Sequence, residues 1–233
     1  DITHIIRGDD HLVNAGRQAQ IYDALGWKRT VFAHIPLIHG PDGKKLPNRH
    51  GALGAEAYRD MGYLPDGLRN YLLRLGWSHG DQEFFTDAEA IAAFEMGGLN
   101  KSPSRLDLDK LSHINAHHMA LADDARLTQL VQPFLTSLEG QIGDEAVKAA
   151  RIRNAMPALK TRAPTLAELA SQAYFLIKAR PFQLDDKASR VLDGDARTRL
   201  NRLFTRLVET VEWTDANLAS VLKQFAESEG IGF

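Results

Sequence analysis

The spacing of apolar residues changes character once along this chain, and that change limits the folds open to it. Residues 2–7 and 30–38 each read as a short, largely buried strand, and residues 14–25 between them as a helix with Gly26 as its stop. Strand, crossover helix and parallel strand make a βαβ unit, the piece from which doubly wound sheets are built. Ligands of such sheets bind outside the carboxyl ends of the strands. Here those ends lead into Arg7 to His11 and into the loop after Ile38.

From about residue 52 onward the strand signals fade and helical spacing takes over. Leu68, Tyr71, Leu72 and Leu75 form one stripe, and Leu200, Leu203, Phe204, Leu207, Val208 and Val211 another; both are expected to face a core. The last helix is expected to start at a Thr214 cap, to bury Leu218, Val221, Leu222 and Phe225, and to end near Gly230. Pro157, Pro164 and Pro181 are expected in turns. The fold class is therefore mainly α with a small α/β part, in three stretches: 1–51, a helical connecting module over 52–120, and a helical bundle over 121–233.

Composition closes off several function classes. With no cysteine there is no disulfide, thiolate zinc site or cysteine nucleophile. The apolar runs are too short to span a bilayer, so no membrane association is expected, and 44% hydrophobic with 25% charged residues suits a soluble intracellular globule. The formal charge of -2 hides an uneven distribution: residues 148–206 hold thirteen Lys and Arg against five Asp and Glu. Such an excess suits a polyanion, or else a solvated helical face. His117-His118 and the spaced His34 and His39 fit no metal-ligand pattern, and no protein-held metal is expected.

Residues 36–49 read Pro-Leu-Ile-His-Gly-Pro-Asp-Gly-Lys-Lys-Leu-Pro-Asn-Arg. Gly40, Pro41, Asp42 and Gly43 supply turn chemistry, while Lys44, Lys45 and Arg49 can face the charge on a triphosphate. The loop stands in a longer string: Asp-Ile-Thr-His-Ile-Ile-Arg-Gly-Asp-Asp-His over 1–11, Gly26-Trp27, His34 to Ile38, and Leu-Gly-Trp-Ser-His-Gly-Asp-Gln-Glu over 75–83. In order and spacing this string resembles bacterial glutamyl-tRNA synthetases, of class I, with residues 45–49 at the position of their Lys-Leu-Ser-Lys-Arg loop.

The resemblance implies a carboxyl-side portion: the second half of a Rossmann-type nucleotide-binding domain with its ATP loop (1–51), a helical stem-contact module (52–120) and a helical anticodon-binding region (121–233). The family's His-Ile-Gly-His type motif, carried by the first half of its catalytic domain, does not occur here. The implied reaction is ATP-dependent activation of L-glutamate and its transfer to the tRNA for glutamate, with magnesium entering alongside ATP, in the cytoplasm and as a monomer. By position, Arg7 would contact the glutamate and Asp10 its ammonium, while His11 would lie by the nucleotide and the Ile38 backbone by adenine. Lys45 and Arg49 would serve the phosphates. Arg162 would read the last anticodon base, with Lys160, Arg151 and Arg153 near phosphates.

One departure stands out. The loop's signature serine is Pro47 and its second lysine is Asn48, which removes a hydroxyl, a backbone donor and a cation. Losing one preorganised charge contact costs roughly 3 kcal/mol in a transition state. Three readings follow: a portion of a glutamate–tRNA ligase that is inactive alone, a paralogue that binds RNA without aminoacylation, and a helical protein-interaction module.

Overall fold

The computed structural model describes residues 2–40, 43, 54–138 and 144–232, and the chain divides into two compact units, Asp1–Ala179 and Arg180–Phe233. The first opens with strand β1 (His4–Gly8), helix α1 (Leu12–Ala24) and strand β2 (Val31–Ile35). The strands pair in parallel, with Arg7 opposite His34. Gly26 ends α1 at φ 66°, donating to the Asp23 carbonyl while Trp27 donates to that of Tyr22, an arrangement whose left-handed residue favours glycine. The strands are less buried than their apolar runs suggest: Ile2, Ile6 and Val31 are exposed. Among the described residues the sheet has two strands. Burial needs cover on a face, and an apolar run in sequence does not supply it.

Four helices follow: α2 (Ala55–Asp60), α3 (Pro65–Gly76), α4 (Asp87–Ala93) and α5 (Leu108–Leu121). Thr86 and Glu89 close a reciprocal capping box at the start of α4. Tyr58, Tyr71, Leu111 and Ile114 form a core against which Leu68 and Leu75 pack. Leu72 departs from the expected stripe and is exposed. The buried line of α3 is Gly67, Asn70 and Tyr71, and a residue one step on is turned about 100° away from it. Helices α3 and α5 approach closely because Gly67 has no Cβ; one built there would lie 2.3 Å from Asn115 Oδ1 and 2.9 Å from Asn115 Cα.

Helices α6 (Asp124–Leu130), α7 (Gln132–Thr136), α8 (Glu145–Leu159) and α9 (Leu166–Ala173) complete this unit. Their core of Leu127, Val131, Leu135, Ile152, Met156 and Leu169 also takes in Leu64 and Met119 from the preceding helical stretch. Pro157 lies inside α8 rather than in a turn. It sits three residues from the helix end, where its missing amide forfeits a single hydrogen bond, and buried Met156 and Leu159 hold the last turn in place.

The second unit holds α10 (Asp186–Val191), α11 (Gly194–Val208) and α12 (Asp215–Ser228). Thr214 caps α12, Phe225 is buried, Leu218, Val221 and Leu222 are half-buried, and Gly230 follows at φ 64°. The stripe along α11 is not core: Leu200, Phe204 and Val208 are exposed, as is Val211 beyond the helix end, and Leu203 and Leu207 are half-buried. The side of α11 toward Leu222 and Phe225 carries Ala196, Leu200 and Leu203, joined there by Leu192 from the end of α10, so the apolar line only grazes this groove and runs out to solvent at Phe204 and Val208.

Candidate functional site

The carboxyl end of β1 places Arg7 beside β2. Its Nε points at His34 Nε2 at 3.5 Å, a long contact, and its guanidinium carbon stands 5.5 Å from the Phe32 ring centroid. Arg7 Nη2 is buried without a hydrogen-bond partner among the described residues. An unpaired buried donor costs about 1–3 kcal/mol, more when charged, so this fork is suited to a carboxylate arriving from outside. The next turn, Asp9–His11, is exposed, and the Asp10 carboxylate lies over Gly8, where a Cβ would stand 2.6 Å from Oδ1. The Asn14 amide donates to His11 Nδ1 at 3.2 Å, an arrangement that places the proton of the neutral ring on Nε2.

At the end of β2 the chain passes half-buried Ile38 and is then tied to the segment that precedes α5. His39 N donates to Ser104 O and Leu106 N to His39 O, both at 2.9 Å, giving a parallel bridge between His39 and Arg105. Gly43, at φ 75°, donates to Gly40 O, and a Cβ there would lie 3.7 Å from the Arg105 guanidinium. Lys45 and Arg49, with Lys44, Pro47 and Asn48, lie outside the described residues. Arg105 is a cation at the root of this loop that sequence reasoning missed, because no pattern links residue 105 to residue 43.

The basic residues of the helical stretch are engaged unequally. Lys160 is largely buried: Nζ donates to Ala122 O and stands 2.8 Å from Asp124 Oδ1. Arg151 donates to Leu176 O at 3.0 Å. Arg151 and Arg153 flank buried Ile152, so they project from opposite flanks of α8 and cannot both face one phosphate. Arg153 and Arg162 are exposed and make no ion pair among the described residues. In the second unit Arg199 and Arg202 pair with Glu229, holding its carboxyl below the usual range, and Arg206 reaches Gln224. The cation excess is therefore split between the two units and partly neutralised within each.

Another polar cluster lies between α3, α4 and α5, around a cavity of about 310 Å³. His117 stacks on Phe84 at 3.8 Å between centroids, and His118 Nε2 lies 2.9 Å from Asn70 Oδ1. Asn70 Oδ1 also accepts from Phe85 N, so His118 is the donor in this contact. Burial, then the neighbouring His117, holds the His118 pKa below its ordinary value. Burial works to raise Asp66, but its hydrogen bond and charge interaction with Arg126, aided by Arg69, prevail and lower it. Among the described residues no three His, Asp or Glu side chains gather as metal ligands, and no helix is long and apolar enough to cross a membrane.

Similarity to known proteins runs over the whole chain. The family described as tRNA synthetases class I (E and Q), catalytic domain, matches residues 1–113, and an anticodon binding domain matches residues 126–233. "Glutamate--tRNA ligase 2" of Maricaulis maris is 66% identical over 100% of this chain and 49% of its own length. That of Parvibaculum lavamentivorans is 51% identical over 99% and 47%. The chain belongs to the glutamyl-tRNA synthetase family. A crystal structure of a glutamate tRNA ligase from Elizabethkingia meningosepticum, in complex with its amino acid, superposes with a TM-score of 0.75 at 25% identity, covering 99% of this chain and 49% of that one. This glutamyl-tRNA synthetase family member thus spans about half the length of the curated relatives it matches. The fold class read from its sequence, mainly helical with a small parallel sheet, is the one observed.

Proposed function

We propose that this chain is the carboxyl-side portion of a glutamate–tRNA ligase, which activates L-glutamate with ATP and transfers it to the tRNA for glutamate. In the first step the glutamate α-carboxylate attacks the α-phosphate of ATP and pyrophosphate leaves; in the second the adenylate esterifies the terminal ribose. The chain's part in this is to position and neutralise charge. Arg7 takes a glutamate carboxylate, Asp10 its ammonium, and His11 and the Ile38 backbone the nucleotide. Lys45 and Arg49 face the phosphates of the magnesium–ATP substrate. Residues 1–51 complete a nucleotide-binding domain, 52–120 contact the tRNA stem, and 121–233 bind the anticodon region through Arg162, with Arg151 and Arg153 meeting separate phosphates from opposite flanks of α8 and Lys160, bonded to Ala122 O and paired with Asp124, holding the backbone nearby. The protein acts as a cytoplasmic monomer.

The observation that carries this reading is the Nη2 of Arg7 at the carboxyl end of β1, buried and without a partner among the described residues. Its test is glutamate-dependent ATP–pyrophosphate exchange by this chain preceded by the amino-side half of the Maricaulis maris relative. The joined protein is expected to exchange and the 233-residue chain alone not to. Arg7→Gln should raise the KM for glutamate far more than that for ATP; equal activity of the variant would overturn the assignment. Pro47 and Asn48 favour a second reading, in which the loop supports RNA binding without adenylation. In that case the joined protein stays silent until Pro47→Ser and Asn48→Lys restore the loop.

A further inference from the structure

Arg162 is exposed and makes no ion pair among the described residues, yet the backbone that carries it is held on several sides. Its own N–H donates to Leu159 O at 3.0 Å and its carbonyl accepts from Gln172 Nε2 at 3.2 Å. Lys160 is anchored on Ala122 O at 2.8 Å. The Pro164 carbonyl accepts from Asn115 Nδ2 at 2.6 Å, and Leu166 N donates to Gly62 O at 2.8 Å. Asn115 itself is fully buried, and its Oδ1 accepts from Leu64 N at 2.9 Å. Each end of its amide thus holds a backbone partner, so its orientation is set.

We propose that Asn115 is a positioning residue for RNA recognition, which together with Gln172 fixes the turn 160–165 so that the Arg162 guanidinium is presented to a base in one geometry. The inference rests on the reading of Arg162 as a base-contacting residue. A guanidinium fork discriminates bases when its approach is fixed, because only then do both of its hydrogen bonds meet the right edge. On a loose turn the same arginine still attracts phosphate but reads less. Asn115 therefore acts on selectivity rather than on charge. Its location on α5, bonded to the first turn of α3, ties that selectivity to the connecting module.

The experiment measures binding of two transcripts to the 233-residue chain: the tRNA for glutamate, and the same RNA with its last anticodon base changed. The unmodified chain is expected to prefer the first. Arg162→Ala should lower the preference by about fivefold or more, the low end for a bidentate contact. Asn115→Ala and Gln172→Ala should each lower it as well, and neither should lower it further when combined with Arg162→Ala. Gln172 is half-buried on α9, so its variant carries the test if Asn115→Ala does not fold. If Gln172→Ala, and Asn115→Ala where it folds, weaken both transcripts equally and leave the preference unchanged, the proposal is overturned while the reading of Arg162 stands. An unmodified chain that shows no preference overturns both.

Discussion

Replacing Gly67 by alanine sets two physical effects against each other. Gly67 is the third residue of α3, and helix propensity alone favours alanine there by up to about 1 kcal/mol. Against this, the new Cβ would stand 2.3 Å from Asn115 Oδ1 and 2.9 Å from Asn115 Cα. The second contact is with backbone, so α5 must move. Overpacking of this kind costs about 1–3 kcal/mol. The displaced Asn115 also loses alignment with Leu64 N and Pro164 O, and each buried group left unsatisfied costs roughly 1–3 kcal/mol more. The net expectation is destabilisation by about 2 kcal/mol or more. Gly16→Ala in α1 is the matched control, because among the described residues nothing lies within 4 Å of a Cβ built there, and it should stabilise its own helix locally. Hydrogen exchange of the α5 amides under a urea titration reads the effect where it arises, and a 2 kcal/mol loss moves the midpoint down by about 1 M. If Gly67→Ala leaves α5 protection unchanged or raises it, the close approach of the two helices is not what holds α3 and α5 together.

His118 predicts a dependence on pH. Its folded-state pKa lies below the ordinary histidine value, so as pH falls through that value the unfolded chain takes up a proton that the folded one refuses, and stability drops until the folded pKa is passed. The charges facing it are His117, Asp66, Asp87 and Arg69. Thermal melts from neutral to mildly acidic pH should show this loss, and His118→Gln, which keeps a donor for Asn70, should flatten it. Asp66 is shifted down, so its contribution is lost at still lower pH, as the medium falls through its folded pKa; Asp66→Asn should remove that later step. Thr86→Ala deletes the capping box of α4 and should cost about 1 kcal/mol, seen as faster exchange over residues 87–93 with the α5 amides unaffected.

The elements were more legible than their burial. Gly26 and the apolar runs around it announce β1, α1 and β2, since local conformation follows from period and punctuation. Whether Ile6 or Val31 meets a neighbour depends on what covers the sheet, and α11 repeats the lesson with Phe204 and Val208. Pro157 reads as a turn by local preference, whereas tertiary packing keeps it helical. Asn115 carried a signal that could have been used: buried Leu111, Ile114, Asn115 and Met119 make one helical stripe, with an amide where an apolar residue is expected. Arg105 carried none, because its approach to Gly43 is made by strand pairing between distant segments.

Nuclease protection of the tRNA for glutamate by the 233-residue chain tests the central claim most directly. The account predicts salt-sensitive protection concentrated on the anticodon loop, weakened at the last anticodon base by Arg162→Ala. Protection that is absent, or spread evenly and indifferent to Arg162, would contradict it.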